Sequence, residues 1–346
     1  MQVYAAMMDH RIPLGEVGSF AERMETLGYD GIHVPEAVHD PFIVSALVLE
    51  HTSRVIVRTA VALAFPRSPM VTAYTSWDLA RFSGGRFEVG LGTQVRPHIV
   101  ERFSVPYDEP VARLTEYVES IDAIFRAFQT GGPLNYQGRF YSFSRLSPFF
   151  NPGPMEVKAP PLWIGGINPG ITQLAGAKAA GFVSHPTNSS PRYLDAVTLP
   201  NLRKGLRCEG RDPSELQIVV GNLFITGVDE ENLVRQREKQ RFPLAFTFST
   251  PAYWPTLELY GWPELGRDLR DLTRAQRWDD LPALLTDEVL DTLVPQATYD
   301  ALPAVIERWF GTTATGIVLE PPDDPAHDEA FAMTIRAIQA QECTRN

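Results

Sequence analysis

The chain alternates short apolar segments with segments of helical spacing along most of its 346 residues. Eight apolar segments predict β-strands, and most of them precede a predicted helix. Such alternation makes consecutive strands parallel, because each helix returns the chain to the same end of the sheet. Eight units favour closure, so we expect an α/β fold, the (β/α)8 or TIM barrel. The predicted strands are Gln2–Met8, Gly31–Pro35, Arg54–Ala64, Phe87–Leu91, Pro161–Ile164, Phe182–Ser184, Leu216–Thr226 and Gly316–Leu319.

Two segments interrupt this alternation, and we interpret both as insertions into a single barrel domain that spans residues 1–346. The segment near 132–150 carries two short aromatic runs around a turn, which predicts a β-hairpin outside the barrel. The segment near 243–287 is longer than ordinary connections, so we expect it to form helices or to cover a site as a loop.

Composition argues against several classes of protein. Hydrophobic residues make up 44% of the chain and charged residues 21%, as in globular proteins with a large core. The formal net charge of −11 argues against nucleic-acid partners and against anionic membranes. Two cysteines, Cys208 and Cys343, are too few for a disulfide scaffold. Without a membrane span or a signal-peptide pattern, we expect a cytoplasmic protein.

Polar and glycine-rich residues follow the predicted strands, at the ends where a barrel carries its active site. Glu36, His39 and Asp40 follow the second strand, although a solvated turn with Asp40 as a helix cap gives the same pattern. Gly165 and Gly166 precede a helix whose amides favour phosphate, but a plain turn also fits. Neither His39 nor the segment after the fourth strand has the spacing of a metal motif, so we expect no metal. Other residues at strand ends are Asp9, His10, Arg67, Arg96, His98 and His185.

The cations in this set suggest a local basic pocket in an acidic protein. Such a pocket favours a small anionic ligand, whereas Arg67 and Arg96 equally fit surface positions at helix starts.

Several sequence blocks resemble the luciferase-like monooxygenase superfamily, and more closely its coenzyme F420-dependent oxidoreductases. The resemblance runs along nearly the whole chain. The block Gly84–Gly92 is shared across the superfamily, whereas Thr93, Gln94 and His98 are more specific to the subgroup. The other matching blocks are Thr59–Pro69, Arg102-Phe103, Arg113 with Glu116-Tyr117, Ser249–Tyr253, Leu259–Trp262 and Asp287–Leu290.

The resemblance implies a deazaflavin, coenzyme F420, at the carboxyl ends of the barrel strands. It also implies a non-proline cis peptide between Ala60 and Val61, behind the tricyclic ring, and a cofactor phosphate at Gly165-Gly166. The cofactor-binding residues that it implies are Glu36, Ala60, Val61, Gly92, Thr93, Gln94, Gly165 and Gly166.

Two positions depart from the family's dehydrogenases. Ala37 stands where some of them have a histidine base, and Val95 where they have a carboxylate. Both departures weaken the hypothesis of an alcohol dehydrogenase. His39 and His98 then become the candidate proton donors, with Asp9 and His10 as further candidates.

The expected chemistry is hydride transfer between the reduced deazaflavin and an activated C=C, C=N or C=O group. Many aromatic residues suit a small, flat and fairly apolar substrate. An FMN-dependent monooxygenase that uses O2 stays an alternative, because the two ring systems differ by one atom, and so does a barrel that binds a ligand without catalysis. The aromatic residues in question are Tyr107, Phe140, Trp254 and Trp262.

Barrels of this superfamily often pair through their outer helices, so we expect a homodimer. The apolar face of the predicted helix Val111–Phe128 either serves that purpose or packs on the barrel.

Overall fold

The computed structural model describes residues 1–7, 11–221 and 223–342. Its strands are short and almost all parallel, as expected where helices cover the outside of the sheet. The strands are β1 (Gln2–Ala6), β2 (Gly31–Val34), β3 (Ile56–Thr59), β4 (Ala62–Leu63), β5 (Phe87–Gly92), β6 (Tyr136–Gln137), β7 (Ser142–Phe143), β8 (Leu162–Gly165), β9 (Gly181–Val183), β10 (Gln217–Gly221), β11 (Ile225–Gly227), β12 (Gln296–Thr298) and β13 (Gly316–Val318).

The main sheet closes into a barrel. Its strand order is β3-β2-β1-β13-β10-β9-β8-β5-β4, and β3 also pairs with β5, which closes the ring. β3 and β4 are two parts of one interrupted strand, because the peptide bond between Ala60 and Val61 separates them and is cis. Counting that interrupted strand once gives eight, so the predicted (β/α)8 barrel is confirmed.

Helices follow most of the barrel strands. Asp40 caps α2 by accepting hydrogen bonds from the backbone N–H groups of Phe42 and Ile43, so this side chain does start a helix. The helices are α1 (Val17–Leu27), α2 (Pro41–Glu50), α3 (Pro69–Phe82), α4 (Pro110–Thr130), α5 (Pro169–Lys178), α6 (Pro191–Tyr193), α7 (Leu199–Glu209), α8 (Glu230–Phe248), α9 (Trp254–Leu259), α10 (Pro263–Arg274), α11 (Leu281–Leu284), α12 (Asp287–Leu293), α13 (Leu302–Phe310) and α14 (Asp328–Gln339).

The apolar face of α4 packs into the main core of the molecule. Leu114, Tyr117, Ile121 and Phe128 on this face are fully buried within the chain itself. This face is therefore occupied by the barrel, and it does not offer a dimer contact. The homodimer itself stays a prediction.

Two segments lie outside the barrel. β6 and β7 pair antiparallel as a hairpin. Residues from α8 to α12 form a helical insertion with a separate apolar core, which includes Phe248, Leu257 and Leu290. The prediction of one strand over Leu216–Thr226 was wrong: β10 ends at Gly221, and β11 leaves the barrel to pair with β12.

None of the helices in the described part of the chain is long and apolar enough to cross a membrane.

Candidate active site

A cavity of about 570 Å³ opens at the carboxyl ends of the barrel strands. Its lining combines backbone-rich segments with a few polar side chains, an arrangement typical of small-molecule sites. The predicted residues Ala60, Val61, Gly92, Thr93, Gln94, Gly165 and Gly166 all line this one cavity.

One wall of the cavity is built around Val61. A Cβ on Gly92 would lie 2.5 Å from Val61 Cγ2, and a Cβ on Gly165 would lie 2.7 Å from Val61 Cγ1. Any larger residue at either position would therefore collide with Val61. The two glycines make room for this valine, so the wall between β4, β5 and β8 presents backbone and one apolar side chain.

The N-terminus of α5 is partly satisfied by its own residues. Asn168 Oδ1 accepts a hydrogen bond from the Gly170 N–H at 2.7 Å, and Pro169 has no N–H to offer. Fewer amides are therefore open to a phosphate than a bare helix start would provide. Phosphate binding at Gly165 and Gly166 stays a prediction.

The structure places Glu36 beside the cavity wall rather than in the cavity lining. Its carboxylate accepts hydrogen bonds from the Leu63 N–H at 2.7 Å and from Arg67 Nη1 at 2.6 Å. Arg67 also binds Asp40 at 2.6 Å. Glu36 thus fixes β4, and Arg67 is a half-buried partner in this ion pair rather than a cation of the pocket.

The two predicted proton donors do not line the cavity. His39 Nε2 lies 3.0 Å from the carbonyl oxygen of Ile12, and His98 is exposed at the start of a short π-helix, His98–Arg102, after β5. Asp9 and His10 lie outside the described residues. Of the aromatic residues expected near a substrate, Tyr107 lines the cavity, whereas Trp254 and Trp262 pack against the core of the insertion.

Beneath the cavity, the barrel interior holds a buried cation. Arg58 is fully buried and binds Glu88 Oε2 through Nε at 2.7 Å. Its guanidinium carbon lies 3.3 Å from the centre of the Trp163 ring, and Nη2 donates to the Tyr4 hydroxyl at 3.2 Å. Arg58 Nη1 also lies 2.8 Å from His33 Nε2. The opposite charges of Arg58 and Glu88 compensate each other, so the interior carries little net charge.

The contact with Arg58 decides the protonation of His33. Arginine only donates, so Nε2 of His33 accepts and the ring proton resides on Nδ1. Burial, followed by the charge of Arg58, holds the pKa of His33 well below its ordinary value. His33 lines the cavity, and its Nδ1–H has no hydrogen-bond partner among the described residues. It is therefore a neutral donor at the cavity floor.

A second neutral histidine forms the opposite side of the cavity. His185 follows β9 and stacks on Tyr253 of the insertion, with ring centres 4.5 Å apart. Burial lowers the pKa of His185 to about 4, so the ring is uncharged at neutral pH. The insertion thus reaches over the barrel mouth, and Ala252 and Tyr253 help to enclose the cavity.

One carboxyl group lines the inner part of the cavity. Glu320 follows β13, and burial raises its pKa, with the nearby Asp323 carboxylate adding to the effect. Sequence reasoning missed it, although it follows the predicted strand Gly316–Leu319 directly. Arg96 is the only lysine or arginine among the lining residues that the structure describes. Within the same described ranges, no group of three His, Cys, Asp or Glu side chains could hold a metal ion.

The sequence matches a known family over most of the chain. The profile of the luciferase-like monooxygenase family matches residues 2–315. The chain belongs to the luciferase-like monooxygenase family. Among its relatives, the protein Rv1360 of Mycobacterium tuberculosis is 37% identical over 303 residues, which cover 87% of this chain and 89% of that protein. An F420-dependent glucose-6-phosphate dehydrogenase of Nakamurella multipartita is 27% identical over 264 residues, covering 76% of this chain and 70% of that enzyme.

Solved structures of luciferase-like proteins share the fold. The coenzyme F420-dependent tetrahydromethanopterin reductase of Methanopyrus kandleri superposes with a TM-score of 0.76, at 17% identity, over 99% of this chain and 97% of that one. The oxygenating constituent of 3,6-diketocamphane monooxygenase from Pseudomonas putida, in complex with FMN, gives 0.70 at 14% identity, over 99% and 98%. Luciferase-like barrels of this kind therefore occur with either cofactor, and the fold alone does not choose between them.

Proposed function

We propose that the chain is a coenzyme F420-dependent oxidoreductase that acts on a small organic molecule with an activated C=C, C=N or C=O group. The single observation that carries the proposal is the cavity wall made of Val61 between Gly92 and Gly165. The deazaflavin would supply a hydride at its C5 atom.

The residues present fit a flat ring. Val61 fills the space above both glycines, so this wall between β4 and β8 presents backbone and one apolar side chain. Tyr107 stands at the edge of the wall, where its hydroxyl donates to the carbonyl oxygen of Gln94 at 2.9 Å. An apolar wall of this kind binds a planar group by burial, and the neighbouring backbone orients its polar edge.

Other residues of the cavity would complete the site. Arg96 supplies positive charge for an anionic side chain of the cofactor. Ala252 and Tyr253 narrow the opening, which excludes water from the reacting atoms. His33 Nδ1–H would donate a hydrogen bond to a substrate oxygen or nitrogen at the floor.

The test is a fluorescence titration of the purified protein with coenzyme F420 and, separately, with FMN. We expect F420 to bind and FMN to bind much more weakly. Preference for FMN would replace the proposal with oxygen chemistry. Binding of neither would favour a barrel that binds another ligand without catalysis.

A matched pair of variants tests whether F420 binds against this wall. Ala60→Phe places a ring in the cavity and should weaken F420 binding at least about tenfold, because the ring and the cofactor would need the same space. Ala301→Phe makes the same change at an exposed position and should leave binding unchanged. Equal affinity in both variants would show that the cofactor does not use this wall.

A further inference from the structure

Glu320 is a cavity carboxyl group that has no assigned role in holding the fold. It lines the cavity, and it forms no hydrogen bond or ion pair with another described residue. Glu320 is half-buried, and an unpaired carboxylate in the wall of a ligand cavity points to a partner that arrives with the ligand. We propose that Glu320 exchanges a proton with the substrate, an inference that rests on the proposed hydride transfer.

The strand register explains why Glu320 reaches this position. Ala6 on β1 stands opposite His33 on β2. On the other side of β1, the Leu319 N–H donates to the carbonyl oxygen of Tyr4 at 2.9 Å, so Glu320 comes next at the end of the barrel. The small Ala6 side chain lies between the two strands that carry His33 and Glu320. A substrate atom can therefore approach the histidine donor and the carboxyl group from the same open space.

The surroundings of Glu320 raise the pKa of its carboxyl group, above all through burial. Asp323 adds negative charge nearby, and the Lys239 ammonium, which opposes this effect, is already paired with Asp323 at 2.6 Å. Tyr29, on the loop before β2, is buried and uncharged at neutral pH. The cavity itself adds two neutral imidazoles, and its one described lysine or arginine stands at a different strand end, after β5. These cavity groups are His33, His185 and Arg96.

The other acidic and basic candidates either bind other residues or lie outside the cavity lining. Glu36 is held by Arg67 and the backbone of β4, and neither His39 nor His98 lines the cavity. Among the described residues, Glu320 is the remaining carboxyl group in the lining. It is also a group whose pKa lies closer to neutrality than that of an ordinary glutamate, which suits a general acid.

A bound, reduced deazaflavin would supply the hydride for a new C–H bond at the substrate carbon, as the π bond of the C=C, C=N or C=O group breaks. The released electron pair takes the proton of the Glu320 carboxyl group, on oxygen, nitrogen or the second carbon. Glu320 becomes a carboxylate, and a solvent proton restores it. In the reverse direction, the carboxylate accepts the proton as the hydride leaves the substrate.

The first experiment uses the cofactor-free protein. Glutamate labelled with ¹³C at the carboxyl carbon is incorporated, and the carboxyl resonances are followed from pH 3 to 9 by NMR. We expect one resonance with a raised pKa that is missing in Glu320→Gln. If the resonance lost in Glu320→Gln titrates near 4.3, as an exposed glutamate does, the proposal is overturned.

The second experiment uses the protein loaded with reduced F420 and cyclohex-2-en-1-one as a probe enone. Glu320→Gln should bind F420 as the wild type does but lower kcat about 100-fold, in the usual range for loss of a general acid. Glu320→Asp should recover part of that loss. Glu329→Gln, the same change at an exposed position of α14, should behave as the wild type does.

The outcomes separate this inference from the proposed function. If the wild type does not bind F420, the proposed function fails and this inference fails with it. If F420 binds and Glu320→Gln keeps the wild-type kcat and pH profile, only this inference fails. If cyclohexenone is not turned over, the NMR titration decides, because a raised pKa supports the proposal and an ordinary one overturns it.

Discussion

Arg58 holds the side chains beneath the cavity in place, and the Arg58→Met variant measures how much this residue contributes to the free energy of unfolding. The change keeps a long apolar side chain beside Trp163 but leaves Glu88 without its cation and His33 without its donor. Removing one partner of a buried ion pair costs about 3–5 kcal/mol. The Glu88 side chain keeps 14% of its surface exposed, which allows partial hydration. We therefore expect Arg58→Met to lower the free energy of unfolding by about 3 kcal/mol, at the low end of that range.

The assay is urea unfolding at pH 7, followed by tryptophan fluorescence. The double variant Arg58→Met/Glu88→Leu removes both charges, so it should be more stable than the single variant. Arg274→Met, at an exposed position of α10, should change stability by less than about 0.5 kcal/mol. A loss below about 1 kcal/mol in Arg58→Met, or a double variant that is no more stable than the single one, would refute the reasoning.

Three further predictions concern pH, packing and substrate. Burial lowers the pKa of His185 to about 4, so the unfolding free energy should fall as pH drops from about 6.5 toward 4, and His185→Gln should flatten that part of a urea-unfolding profile. A Cβ on Gly176 would lie 2.2 Å from the Leu202 carbonyl oxygen, so Gly176→Ala should lower the free energy of unfolding in urea by about 1–3 kcal/mol. The control Gly15→Ala, which has open space around the new Cβ, should lower it by less than about 0.5 kcal/mol. Arg96, the one described lysine or arginine of the cavity, is assigned to the cofactor, so the described lining offers no further cation for a phosphate group. Glucose 6-phosphate should therefore not reduce bound F420, and a loss of the visible absorbance of F420 would contradict this.

The barrel was predictable because its signal is local. Each strand is a short apolar run and each helix begins after it, so the order of elements follows directly from the chain. The prediction of one strand over Leu216–Thr226 was wrong because the pairing of this segment is not local. Its second half, Ile225–Gly227, pairs with Gln296–Thr298, a partner some seventy residues later that no local pattern reveals. The insertion between them has its own core, which local periodicity does not separate from that of the barrel.

Within the candidate site, backbone positions were easier to predict than side-chain roles. Gly92 and Gly165 line the cavity, and their immediate neighbour is Val61, while cofactor binding by the two glycines stays a prediction. Glu36 and Glu320 both follow a strand, but the Glu36 carboxylate binds Arg67 and does not line the cavity. Whether a strand-end side chain turns inward depends on which cation or amide it meets, and that partner comes from another part of the chain.

The residues in the barrel interior set the charge of the side chains that face a bound substrate. Arg58 and Glu88 neutralise each other below the cavity, and Arg58 fixes His33 as a neutral donor by occupying its Nε2 atom. His185 is neutral because it is buried under Tyr253. The described floor therefore offers hydrogen-bond donors without positive charge, next to a carboxyl group whose pKa is raised by burial. In the proposed hydride transfer, such donors would stabilise the negative charge that develops on a substrate atom, and they would do so without binding a ground-state anion. Catalysis requires this preference for the transition state over the ground state.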